Sequence, residues 1–104
     1  MRRAQLLKEI RSRLARVHGE RLRGIVLYGS EARGQAGPES DIDLLVLLAG
    51  PVRYARDLDL NLEALYPLSL RIGRRISAKP VAADEYEAAE TPLYRNAHRE
   101  GVPV

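Results

Sequence analysis

Cysteine is absent from the chain, which excludes a disulfide framework, a thiolate metal site and a cysteine nucleophile. A zinc site would have to rely on histidine and carboxylates. The two histidines, His18 and His98, sit near opposite ends of the sequence with no second His at ligand spacing, so neither is assigned to a site. Phenylalanine and tryptophan are also missing. The five tyrosines are not interleaved with basic residues as a base-stacking platform requires, which argues against nucleic acid as a partner. Tyr28 and Tyr54 read as packing residues. No apolar run approaches membrane-spanning length, and the N-terminal MRRAQLLKEIRSRLARV is broken by charges too often to be a signal peptide. The expected location is the cytoplasm, with no membrane partner.

What is present fits one modest core. At 104 residues, 45% hydrophobic and 30% charged, the composition is that of an ordinary globular protein, and residues 1–104 are expected to form a single domain. The net charge of +3 is misleading as a sign of phosphate binding. Residues 1–23 hold eight Arg or Lys against two Glu, so the remainder is net acidic. A basic first helix could touch phosphates or an acidic partner, but the solvated face of an amphipathic helix is the favoured account of that excess.

Periodicity gives the order α, β, β, α, β, α, an α+β class. Leu7, Ile10, Leu14 and Val17, with Leu6 beside them, form an apolar stripe that predicts a helix over residues 2–19. The run from Gly24 to Tyr28 suits a buried strand ending in a turn at Gly29-Ser30. Residues 31–33 can form one helical turn, and Gly34, Gly37 and Pro38 then enforce a loop as far as Ser40. A second strand covers 41–48. Leu58, Leu62, Leu65 and Leu68 predict a helix over residues 53–70, ended or kinked by Pro67. A third strand is expected from Arg74 to Val81, then a short helix over 85–89 capped by Asp84. Thr91-Pro92 starts a last helix reaching Glu100.

The informative segment is YGSEARGQAGPESDIDL, from Tyr28 to Leu44. Alternation along a strand points Asp41 and Asp43 to one face and Ile42 to the other. Two carboxylates so close raise each other's pKa unless a hard cation with oxygen ligands neutralises them. Mg2+ is the first candidate, and because it keeps several positions for water and phosphate, the pair suggests a nucleotide substrate. Gly29 permits a sharp turn and close approach of a ligand, and the Ser30 hydroxyl with the amides that follow can donate to phosphate oxygens. Each signal alone is common, since Gly-Ser pairs make plain turns and Ser-Asp before a strand is ordinary loop chemistry.

Taken together, Gly29-Ser30, ten intervening residues, Asp41, one residue and Asp43 resemble the signature of the nucleotidyltransferase superfamily that includes DNA polymerase beta. The fuller pattern GSxARGxxxxxSDIDLLV and the short length resemble its minimal nucleotidyltransferases. The ending from Thr91 to Val102 is similar to that group as well. The resemblance implies a small mixed sheet backed by helices. It implies nucleotide binding through Gly29, Ser30, Arg33 and Ser40, and Mg2+ held by the catalytic Asp41 and Asp43. The implied reaction is transfer of AMP from ATP. The implied partner is a HEPN-domain RNase toxin, which such proteins neutralise by adenylylating and binding it in a hetero-oligomer.

One departure bears on turnover. Full members of the superfamily carry a third carboxylate on the neighbouring strand, whereas here that strand reads Arg74-Arg-Ile-Ser-Ala-Lys-Pro-Val81. Ser77 and Lys79 share a face by alternation, and neither is an acid. Asp84 follows the strand and reads either as a helix cap or as a replacement acid. The gap leaves open a nucleotide-binding antitoxin that acts by contact. Transfer to a small molecule, as in aminoglycoside-modifying relatives, fits less well, because such enzymes carry an additional substrate domain.

Overall fold

A computed structural model describes residues 1–104. The chain runs α1 (Arg3–His18), β1 (Leu22–Tyr28), α2 (Gly29–Ala32), β2 (Ile42–Leu48), α3 (Tyr54–Ile72), β3 (Ile76–Ala82), α4 (Ala83–Ala88), α5 (Pro92–Glu100) and β4 (Val102–Pro103). The four strands lie in the order β3-β2-β1-β4. β1 is antiparallel to β2 and β4, while β2 and β3 are parallel, giving the expected small mixed sheet of an α+β fold. A parallel neighbour cannot be reached by a hairpin, so α3 serves as the crossover and is laid on one face of the sheet.

Strand alternation divides the core in two. Ile25, Leu27, Ile42, Leu44, Val46, Leu48, Ile76 and Ala78 face Leu6, Ile10 and Leu14 of α1 and Leu65 and Leu68 of α3. On the other face, Val26, Leu45, Leu47 and Val81 meet Tyr86 of α4 and Ala97 of α5. β2 lies between β1 and β3 and is covered on both faces, which is why it reads as a continuous apolar run. The helices on the second face are only six and nine residues long. They pack on Leu47, Val81 and the neighbouring Leu45, with Tyr28, Leu93 and Tyr94 at the margin of the cluster. No helix is long and apolar enough to cross a membrane.

Several expected details are corrected. The buried line of α1 is Leu6, Ile10, Leu14 and His18, while Val17 is exposed. α3 buries Asp57, Asn61, Leu65 and Leu68 and leaves Leu62 half-exposed. The polar members are bonded. Asn61 Nδ2 donates to the Ala78 carbonyl (2.9 Å), so its Oδ1 is the acceptor for His18 Nε2–H (2.6 Å). Arg21 donates to both Asp57 oxygens (3.0 and 3.2 Å). These pairs tie α1 and the turn before β1 to α3 and β3 without leaving the amide or carboxylate unsatisfied. α3 passes through Pro67 and continues to Ile72. Pro67 is on the exposed side, and Leu68 immediately after it is fully buried, so core packing outweighs one missing helical bond. The two-residue β4, which pairs Val102 and Pro103 with Leu27 and Val26, has no counterpart in the sequence reading.

Candidate functional site

The end of β1 and the start of β2 are fixed side by side, with Tyr28 paired to Asp43. Gly29, at φ +74°, follows at once and turns the chain into α2. Its bare Cα lies against the Asp43 carboxylate, and a Cβ there would come within 2.7 Å of Asp43 Oδ2. The glycine is therefore needed for two reasons, a left-handed backbone and room for the acid. α2 begins at Gly29, two residues earlier than the spacing suggests. The first-turn amides of a helix have no intrahelical acceptor, and those of α2, with the half-buried Ser30, directly follow the glycine that touches Asp43.

Asp41 is exposed and just precedes β2. Ile42 N–H donates to the Arg75 carbonyl at 2.9 Å, so the β2–β3 pairing is held up to the residue after Asp41. Asp43 shares the face of Leu45 and Leu47 by alternation and is half-buried there. Its carboxyl pKa is pushed upward by burial first and by Asp41 second, while Arg75 and Lys79 pull it back. The same cause, burial with the charge of Asp43 added, raises the Tyr28 hydroxyl.

The connecting loop is held by a side chain that sequence reasoning passed over. Arg74 Nη1 pairs with Glu31 of α2 at 2.7 Å, both side chains being 17% exposed. Its Nε donates to the Ser40 carbonyl at 2.9 Å. One guanidinium thus ties α2 and the residue before Asp41 to the start of β3. Ser40 has a local role as well, since its hydroxyl accepts from Gly37 N–H at 2.9 Å. Arg33 is turned along the surface toward Gln35 (3.3 Å) and Glu100 (3.8 Å). Gly29, Ser30, Asp41 and Asp43 are brought to one end of the sheet, with Ser40 shaping the loop and Arg33 at its rim.

β3 presents Ser77 opposite Asp43 and Lys79 opposite Leu45, so the strand face in question does look at the carboxylates. Alternation adds Arg75 to that face, a residue the sequence pattern could have supplied, being two positions before Ser77. No group of three or more acidic or histidine side chains converges anywhere in the fold. Asp84 cannot complete such a group. β2 and β3 run in parallel register, with Ala82 beside Leu48, so Asp84 lies beyond the far end of β3, roughly 16 Å of strand from the Asp43 level. It lines a cleft there with Arg23, Leu48 and Gly50. Nor is it the cap: Ala82 holds that position, and Asp84 accepts from Glu85 N–H within the first turn. His98 is stacked on Tyr86, with ring centroids 4.2 Å apart, and donates to the Tyr86 carbonyl at 2.7 Å. Both histidines are occupied away from the carboxylates.

The sequence profile of the nucleotidyltransferase domain matches residues 5–94. The chain belongs to the nucleotidyltransferase family. Solved structures agree with this on the fold. One is a chain designated a minimal nucleotidyltransferase, 28% identical at a TM-score of 0.59 over 98% of this chain and 91% of that one. Another is a toxin–antitoxin structure with AMP-PNP, 24% identical at a TM-score of 0.65, covering 92% of this chain and 69% of that chain. A third is spectinomycin adenyltransferase AAD(9) from Enterococcus faecialis with ATP and spectinomycin, 20% identical at a TM-score of 0.63. It aligns with 86% of this chain, which spans only 36% of the adenyltransferase.

Proposed function

We propose that this nucleotidyltransferase transfers AMP from ATP to a HEPN-type RNase toxin and so serves as its antitoxin, residues 1–104 acting as one domain. The observation that carries the proposal is the Asp43 carboxylate packed on the bare Cα of Gly29, beside Asp41. Neither acid has a cationic partner within ion-pairing distance. That donor set fits Mg2+, which takes one or two protein carboxylates and leaves its other positions to water and substrate phosphates. Asp41 and Asp43 would hold it. The chemistry supplied by a bound Mg2+ is charge neutralisation at the triphosphate and polarisation of the α-phosphorus.

The chain's own groups account for the remaining steps of binding. Ser30 and the first-turn amides of α2 donate to phosphate oxygens, and Arg74 keeps that turn in place through Glu31. Arg33, free to swing from its exposed pairs, reaches the rim of the same loop, which Ser40 braces. The toxin–antitoxin and AMP-PNP context of a structural neighbour supports this reading of nucleotide and partner. A second reading follows from β3, whose site-facing residues Arg75, Ser77 and Lys79 offer no base for the acceptor hydroxyl. On that reading the protein binds nucleotide and neutralises its partner by contact.

The test is incubation of the protein with labelled ATP, Mg2+ and the candidate toxin, comparing wild type with Asp41→Ala/Asp43→Ala. Label on the toxin from wild type alone is the expected result. Tight complex formation without label selects the contact antitoxin. Equal labelling by the double variant would remove the two carboxylates from the site.

A further inference from the structure

Charges of both signs are left uncommitted at this end of the sheet. Asp41 and Asp43 make no ion pair, and neither do Arg75 and Lys79, although all four flank the β2–β3 seam. Arg74, next in sequence, is by contrast paired with Glu31 through Nη1 and with the Ser40 carbonyl through Nε. Arg75 and Lys79 bracket Ser77, the residue opposite Asp43, one pleat to either side, about 6–7 Å along the strand. Arg75 is exposed and Lys79 half-buried, so both can reach a ligand seated on the pair.

A site lined by two unpaired acids and two unpaired bases calls for a ligand that itself carries both signs. A nucleoside triphosphate with its cation is such a ligand. The balance also sets how many cations it brings. Two-cation phosphoryl-transfer sites hold their ions about 3.5–4 Å apart and need acidic ligands to offset the doubled charge. Here the acids number two, no third converges on them, and the β3 side of the pair is cationic. A second divalent ion would face Arg75 and Lys79 instead of a ligand. The side chains themselves can neutralise phosphate, Arg75 through its forked donors and Lys79 as a point charge.

Resting on the nucleotide-binding reading above, we infer that this site binds a nucleoside triphosphate with a single divalent cation, Arg75 and Lys79 contacting the phosphates where a second ion would otherwise sit. The two residues thereby become binding determinants of the nucleotide. An acidic ligand on β3 is what the site would need to accept a second ion.

The experiment counts Mn2+ by the electron paramagnetic resonance of the free ion. The intact protein is titrated at saturating ATP analogue with a methylene group between the α- and β-phosphorus. One Mn2+ per protein–nucleotide complex is expected, and two would overturn the inference while leaving the nucleotide site standing. Arg75→Gln/Lys79→Gln should weaken analogue binding at least about tenfold, as loss of charge-assisted phosphate contacts implies. An unaltered dissociation constant in that variant, with its fold verified by circular dichroism, would also overturn it. Failure of wild type to bind the analogue at all would overturn the nucleotide-site reading, and the inference with it.

Discussion

Replacing Gly29 with alanine isolates the contact on which the site is built. Two costs arise, and the structure separates them. A non-glycine residue at φ +74° carries about 1–2 kcal/mol of left-handed backbone strain. The new Cβ would also lie 2.7 Å from Asp43 Oδ2 and 3.5 Å from its Cγ, so the carboxylate must turn. Moving a side chain off its rotamer costs about 0.5–1.5 kcal/mol. Together these reach about 2–3 kcal/mol, which for a chain of this size lowers the thermal midpoint by about 10–20 °C. Gly34→Ala supplies the comparison, because Gly34 has a similar φ of +71° but nothing within 4 Å of an added Cβ. It should show the backbone cost alone. Differential scanning calorimetry of both variants, with Mn2+–nucleotide affinity as a second readout, measures the difference. Equal midpoints and equal affinities for the two variants would refute the claim that Gly29 is bare to make room for Asp43.

Arg74→Ala removes the half-buried pair with Glu31 and the bond to the Ser40 carbonyl. It should lower the free energy of unfolding in urea by about 1.5–3 kcal/mol and weaken nucleotide binding, whereas Arg71→Ala, which loses only an exposed 3.9 Å pair with Glu9, should do neither. Asp57, held below the usual carboxylate range first by its hydrogen bond from Arg21, stabilises the fold when ionised. Its contribution is fully present above the unfolded value near pH 4 and is lost as pH falls through the lower folded value. Urea midpoints between about pH 6 and pH 3 should therefore decline less steeply in Asp57→Asn than in wild type. Identical slopes would show that the Arg21 pair does not govern acid stability.

The legible parts of this protein were those with strong local signals. β2 announced itself as an uninterrupted apolar run because a central strand is buried on both faces. The loop from Gly29 to Asp43 was legible because a tight turn, a close approach and paired acids each demand particular residue types at fixed spacing. The missed parts were polar groups doing apolar work. His18, Asp57 and Asn61 occupy core positions of α1 and α3, and a periodicity of leucines drew the eye to Val17 and Leu62, which the fold exposes. Pro67 read as an end or a kink because local propensity weighs the lost bond and cannot see Leu68 held in the core. β4 is too short to have any sequence pattern.

By itself the sequence determined the order of the elements up to α5, the face shared by Asp41 and Asp43, and the sharp turn at Gly29, all consequences of backbone geometry within a few residues. Tertiary structure decided which distant residues meet them. Register between β2 and β3 set Ser77 opposite Asp43, sent Asp84 to the far end of the sheet and brought Arg75 and Lys79 to the carboxylate face. The Arg74 tie to Glu31 and Ser40 belongs to the same class. Such pairings depend on strand order and crossover, which no window of local sequence contains.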